Sequence, residues 1–142
     1  MITGFFVLVG LSAYSVSAAS GPYQPPLSKA IFTPDDGSIV FTKAKGSDCF
    51  LYKAELATGI TRRMTHSGHG CETHPAFSSD GKFLAYMSSV EAGAHAALVV
   101  AQADATQPHV LVSGEEDNLK PVFVPNSTRI LFLHSGAFEH YS

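Results

Sequence analysis

The sequence predicts an all-β chain, a partial β-propeller of about two and a half four-stranded antiparallel blades, and three observations predict it. First, the segments "AIFTPDDGSIVFTKA" (30–44), "PAFSSDGKFLAYMSS" (75–89) and "PVFVPNSTRILFLHS" (121–135) can be laid over one another. Phe32, Phe77 and Phe123 stand 45 and 46 residues apart, and Phe41, Tyr86 and Phe132 repeat at the same two spacings. Second, "CFLYKAELATGITRRMT" (49–65) corresponds to "AALVVAQADATQPHVLV" (96–112), each a β-type run, a turn and a second β-type run. Third, no stretch carries a helical period, and the valine, phenylalanine and tyrosine usage suits pleated, half-buried surfaces. Four short strands recurring every 40–50 residues are the pattern of a propeller blade.

The elements follow in order. "MITGFFVLVGLSAYSVSAAS" holds no charged residue, has an apolar run from Phe5 to Leu11 and ends in small residues. That shape predicts a secretory signal peptide over 1–19, cleaved after Ala18 or Ala19, although the usual positive residues at the start are missing. A short anchor or a buried strand are the alternatives, as is a true start further upstream. No stable membrane span is expected after cleavage, because the Ser/Ala/Gly-rich half from Ser12 falls short of the roughly 20 apolar residues a span needs. "GPYQPPLS" (21–28) carries three prolines and defines a linker over 20–28, since proline breaks helices and central strands. The repeats occupy 29–142: blade one 29–74, blade two 75–120 and a partial blade three 121–142. In blade two the Asp80-Gly81 pair between alternating apolar runs marks a hairpin, because glycine accepts the positive φ of a tight turn. The repeated aromatics are read as packing between blades and Asp80-Gly81 as turn chemistry, not as sites.

"PAFSSDGKFLAYMSS" resembles the Pro-x-aromatic-Ser-Pro-Asp-Gly-Lys-x-Ile-Ala-Phe-x-Ser motif of the TolB-type, WD40-like propeller repeats. The resemblance covers about 29–135. In the first repeat "TPDDGSIVF" is read as carrying an extra residue, and in the third "VPNSTRILF" has lost the Asp-Gly. The family implies a periplasmic or secreted propeller that binds a protein or peptide, but propellers host many unrelated roles.

Propellers close with four to eight blades as a rule. Here two full repeats and the first hairpin of a third are expected, with the strands that should pair with Ile130–Leu133 missing. Such an arc exposes a sheet face and an unpaired edge. A piece of a longer propeller is the leading expectation, with self-association through the open edge or docking on a partner propeller as alternatives.

The stretch "THSGHGCETHP" (65–75) brings His66, His69, Cys71 and His74 within a few positions. In the repeat it becomes the crossover from blade one to blade two. The loop "KAKGSD" (43–48) is its neighbour on the same face of the disc, and Cys49 follows it directly. Two cysteines in an exported chain are most simply a disulfide, so Cys49 and Cys71 are expected to pair; two buried thiols are the alternative in a reducing compartment. Zinc on His66, His69, Cys71 and His74 competes for the same cysteine and is not favoured, because a disulfide sulfur cannot supply the thiolate and the spacing fits no standard module. No cofactor is expected. His95, in the corresponding loop of blade two, and His134, at the end of a blade-three strand, fall on the same face. His66, His69, His74, His95 and His134 thus form a candidate binding rim whose charge rises as pH falls through about 6.5.

Nine Lys+Arg against twelve Asp+Glu, a formal charge of −3, leave no basic stripe, which argues against nucleic acid as a partner. There is no Gly-x-Ser-x-Gly elbow, no phosphate-cradling loop and no enforced carboxylate pair, so the chain is not read as an enzyme. "GEEDN" (114–118) is read as a solvated loop, with a cation site as the minor alternative. Two functions remain: a non-enzymatic interaction module, or the propeller portion of a larger enzyme. That enzyme would be a prolyl-oligopeptidase-type peptidase or a propeller lyase.

Overall fold

The computed structural model describes residues 7–9, 12–14, 30–90, 94–113, 118–134 and 137–141. All regular structure among them is β. The linker (20–28), most of the expected signal peptide and residues 114–117 of the acidic loop lie outside the described residues. Within the N-terminal stretch, β1 (Val7–Val9) and β2 (Ser12–Tyr14) form an antiparallel ribbon. Among the described residues no helix is long and apolar enough to cross a membrane.

The remaining strands fall into three meanders. The first runs β3 (Ile31–Phe32), β4 (Ser38–Lys45), β5 (Asp48–Glu55) and β6 (Thr61–Arg63), each antiparallel to the one before. The second runs β7 (Cys71–Phe77), β8 (Phe83–Ser89), β9 (Ala97–Gln102) and β10 (His109–Val112) in the same manner. The third holds β11 (Asn118–Phe123), β12 (Ile130–His134) and β13 (Ala137–Tyr141). A single parallel step, Cys49 opposite Cys71, links the first meander to the second.

Two expectations need correction. Ile130–Leu133 is not left unpaired: β13 runs antiparallel to all of β12, from His134 opposite Ala137 to Ile130 opposite Tyr141. The tail "AFEHY" is long enough to return along β12, so the third meander has three strands rather than one hairpin. Nor does the first repeat carry an extra residue. Thr33 N–H donates to Ser38 O, Ser78 N–H to Phe83 O and Val124 N–H to Arg129 O, so the same five-residue span closes all three hairpins. What shifts is which residue takes the left-handed position. Gly81 adopts φ 71° in the second turn, while Asp36, at φ 55°, does so in the first. Asp35 and Asp80 bind those turns alike, each accepting from a hydroxyl two residues before and an amide two residues after. The hydroxyl bond is the larger reason that both carboxyls sit below the usual aspartate range.

Packing explains why the repeat is visible in the sequence. Side chains alternate across a strand, and both faces of the second meander are covered. Leu84, Tyr86, Val99 and Ala101 pack with Val40 and Leu51 of the first meander. The alternate residues Ala85, Met87 and Leu98 pack with Phe123, Ile130 and Phe132 of the third. Leu84, Met87 and Leu98 are all 0% exposed, each worth about 1.5–3 kcal/mol of burial. The outermost faces lack such cover. Phe32 is 52% exposed on one, and Val122 and Leu131, paired across β11 and β12, are 57% and 41% exposed on the other.

Candidate functional site

The crossover between the first two meanders runs from Met64 to Gly70, and strand β7 takes over at Cys71, ahead of Pro75. Several short-range forces hold it. Met64 N–H donates to Leu51 O, keeping the chain beside β5 as it leaves β6. The Arg63 guanidinium lies 3.4 Å from the centre of the Phe50 ring, a cation–π contact that also covers the phenyl group. Its Nε and Nη2 donate to Thr65 O and Ser67 O, which fixes the first half of the loop.

The second half is tied to the start of β5. Gly70 N–H donates to Asp48 Oδ1 at 2.8 Å, and Cys49 N–H donates to Gly70 O at 2.9 Å. Between these bonds and β7 lies the Cys49–Cys71 disulfide, with Cα atoms 4.4 Å apart and the two cysteines 22 positions apart in sequence. Gly70 adopts φ 102°, and a Cβ there would fall 1.8 Å from the carbonyl oxygen of Ser89 at the end of β8. Only glycine fits that approach.

Beneath the loop sits Glu72, 2% exposed. Its Oε2 accepts from Thr65 Oγ1 and its Oε1 from Ser67 Oγ at 2.9 Å. Thr65 Oγ1 in turn accepts the Leu51 N–H at 3.1 Å, and Thr42 Oγ1 donates to Glu72 O at 3.1 Å. Glu72 therefore ties β7 to the crossover through its carboxylate, to β5 by way of Thr65, and to β4 through its backbone carbonyl. Thr65, His66, Glu72, Tyr86, Val99 and Val110 line a groove of about 440 Å³ between the crossover and the second meander. Burial first and the Glu72 charge second push the Tyr86 phenol up to about 12.

The histidines separate into groups. His66 and His69 are exposed on the crossover, and His69 Nδ1 stands 3.7 Å from Asp48 Oδ2. His95 is exposed on the β8–β9 connection, on the same side as the crossover by topology. His134 ends β12, and its side chain lies outside the described residues. His74 departs from the others. It lies in β7 at φ 52°, half-buried, where the ladder with β8 slips between Thr73 and Ala76. Lys120 repeats that conformation at φ 54° before Pro121, with a matching slip in β11. Burial, and then the Lys120 charge, hold the His74 imidazolium below the usual histidine range. Among the described residues no three metal-ligating side chains converge. The bulge takes His74 toward β11 and the disulfide occupies Cys71, leaving His66 and His69 alone of the proposed ligands. Asp48, Arg63 and Glu72, which hold this loop in place, are the residues of the region that the sequence did not single out.

No family model matches the sequence. Over 77 residues, 47% of this chain, it is 32% identical to dipeptidyl-peptidase 5 of Porphyromonas endodontalis, of which that match covers 11%. Among solved structures, TolB from Acinetobacter baumannii superposes on 91% of the chain with a TM-score of 0.64 at 20% identity, and 34% of its own length is covered. Tricorn protease (TM-score 0.62, 15% identity) and puromycin hydrolase (TM-score 0.59, 16% identity) superpose on 87% and 80% of the chain, which spans 12% and 18% of theirs. The chain thus corresponds to a minor part of each protein it resembles. Its fold is that of the β-propellers found in TolB and in propeller peptidases, built here as an arc of blades.

Proposed function

We propose that this chain is a non-enzymatic propeller module of an exported protein, and that its crossover face binds a protein or peptide. The observation that carries the reading is the loop His66–Gly70. It presents His66 and His69 to solvent, yet it is anchored by a disulfide, the Arg63 bonds and the Asp48–Gly70 bond. A polar loop fixed at both margins is suited to recognition, because little of its freedom remains to be lost on binding. His95 and His134 extend the rim by topology. The disulfide supports an oxidising compartment, hence a periplasmic or secreted location with residues 1–19 as the export signal. The sequence repeat parts the blades at 74/75 and 120/121; with β7 and β11 kept whole, blade two begins at Cys71 and blade three at Asn118. The uncovered faces bearing Phe32 and Val122 are suited to further blades of a longer propeller; self-association through them is the competing outcome, visible as a multimer by light scattering.

A second reading is favoured by the likeness to a dipeptidyl-peptidase: the chain as the propeller portion of a serine hydrolase. The two are separated by treating the natural full-length protein with a fluorophosphonate probe. No labelling is expected. Covalent labelling of a serine would replace the binding-module reading with the hydrolase one.

A further inference from the structure

We propose that the groove between the crossover and the second meander receives a basic side chain from a bound peptide, with its charged head at Glu72 and its aliphatic stem along Val99, Pro108 and Val110. The proposal rests on the peptide-binding reading above and names the residue type and the place.

Glu72 is a carboxylate at 2% exposure that accepts from two hydroxyls, those of Thr65 and Ser67. No ion pair among the described residues engages it. The Arg63 guanidinium, at the end of β6, is directed at Thr65 O, Ser67 O and the Phe50 ring. Burying an anion without a cation is costly, and an ionised carboxylate has about four acceptor sites, of which Thr65 and Ser67 fill two. The groove therefore offers remaining acceptor capacity in a weakly screened setting.

Its walls match the rest of a lysine or arginine. Tyr86 and Val99 form the floor, and Pro108 and Val110 the outer lip, with Val110 61% exposed. Long basic side chains lay their methylenes on such surfaces while the head reaches a polar partner. A cation beside Glu72 also comes near the Tyr86 ring, whose face attracts positive charge. Burial is the larger cause of the raised Tyr86 phenol, and the Glu72 charge, the smaller one, has the sign that attracts a cation. Because His66 and Ser67 form the upper rim, a peptide lying on the crossover face reaches the groove without leaving it.

The test is an NMR titration of the isotope-labelled chain with capped pentapeptides of sequence Gly-Ala-Xaa-Ala-Gly, where Xaa is lysine, arginine or norleucine. The lysine and arginine peptides are expected to shift the Ser67, Glu72 and Val110 amides, and norleucine to bind at least ten-fold more weakly. Glu72→Gln is expected to weaken the lysine peptide by at least ten-fold. Val110→Lys, on the exposed lip and away from the Glu72 hydrogen bonds, is expected to do the same by placing a competing cation in the groove. Equal binding of norleucine and lysine, or lysine binding unchanged in Val110→Lys, overturns the assignment. Should a protein partner still bind the crossover face when no basic peptide enters the groove, the groove assignment alone falls. If neither binds, the scaffold reading falls with it.

Discussion

Replacing Gly70 by alanine tests how the crossover loop is held. The added Cβ would meet the Ser89 carbonyl oxygen at 1.8 Å, the Ser89 carbonyl carbon at 2.9 Å and the Val90 carbonyl carbon at 3.0 Å. All three are backbone atoms, so no side chain can swing aside to relieve the clash. Overpacking of this kind costs about 1–3 kcal/mol. An L-residue at φ 102° adds about 1–3 kcal/mol of backbone strain. Displacing residue 70 also lengthens its 2.8 Å bond to Asp48, worth about 1.5 kcal/mol or more for a charged acceptor. Alanine returns about 0.4–1 kcal/mol by restricting the unfolded chain. The net expectation is about 2.5–7 kcal/mol of destabilisation, read from urea unfolding of the oxidised protein. Gly68→Ala is the control, since a Cβ there meets nothing within 4 Å. It should stay within about 0.5 kcal/mol of the parent, like an ordinary surface substitution. A Gly70→Ala variant within about 1 kcal/mol of the parent would refute the close approach of the crossover to β8.

Three further predictions bear on the same region. Replacing both Cys49 and Cys71 by serine should cost about 3 kcal/mol, as expected for a link across 22 residues; dithiothreitol should lower the parent's urea midpoint and leave the double variant unmoved. His74 has its folded pKa depressed below about 6.5, so the stability it carries is complete above that pH and is lost as pH falls through the folded value; His74→Gln should flatten the dependence on the acid side, and Lys120→Gln should raise the His74 titration midpoint followed by NMR. Tyr86 is raised from 10.0 to about 12, so its contribution is complete below pH 10 and is lost as pH rises through 12; absorbance titration should show one late phenol, which Glu72→Gln moves to lower pH and Tyr86→Phe abolishes.

The strand pattern was legible because both faces of β8 and β9 are buried, which forces apolar residues at successive positions and aromatics at fixed repeats. The pairing of Cys49 with Cys71 followed from topology: strand three of one blade and strand one of the next begin on the same face of the disc. β13 was not legible, since "AFEHY" carries a glutamate and a histidine in five residues and resembles a polar tail. Glu72 was hidden for another reason. An acid two residues before a histidine in a polar loop reads as solvated, and its burial depends on Thr65 and Ser67 folding back over it and on Thr42 from β4. His74 was grouped with His66 and His69 by spacing, but spacing does not reveal the left-handed bulge that carries it toward β11. That bulge does leave a trace, a residue before proline at the same place in two repeats, His74-Pro75 and Lys120-Pro121.

The most direct test of the binding face is site-specific photo-crosslinking in the source cell, with benzoylphenylalanine placed at Ser67 on the crossover or at Thr58 on the β5–β6 turn of the opposite face. The account predicts a discrete protein adduct from position 67, weakened when His66 and His69 are both alanine, and none from position 58. An adduct from position 58 alone, or none from either, would contradict it.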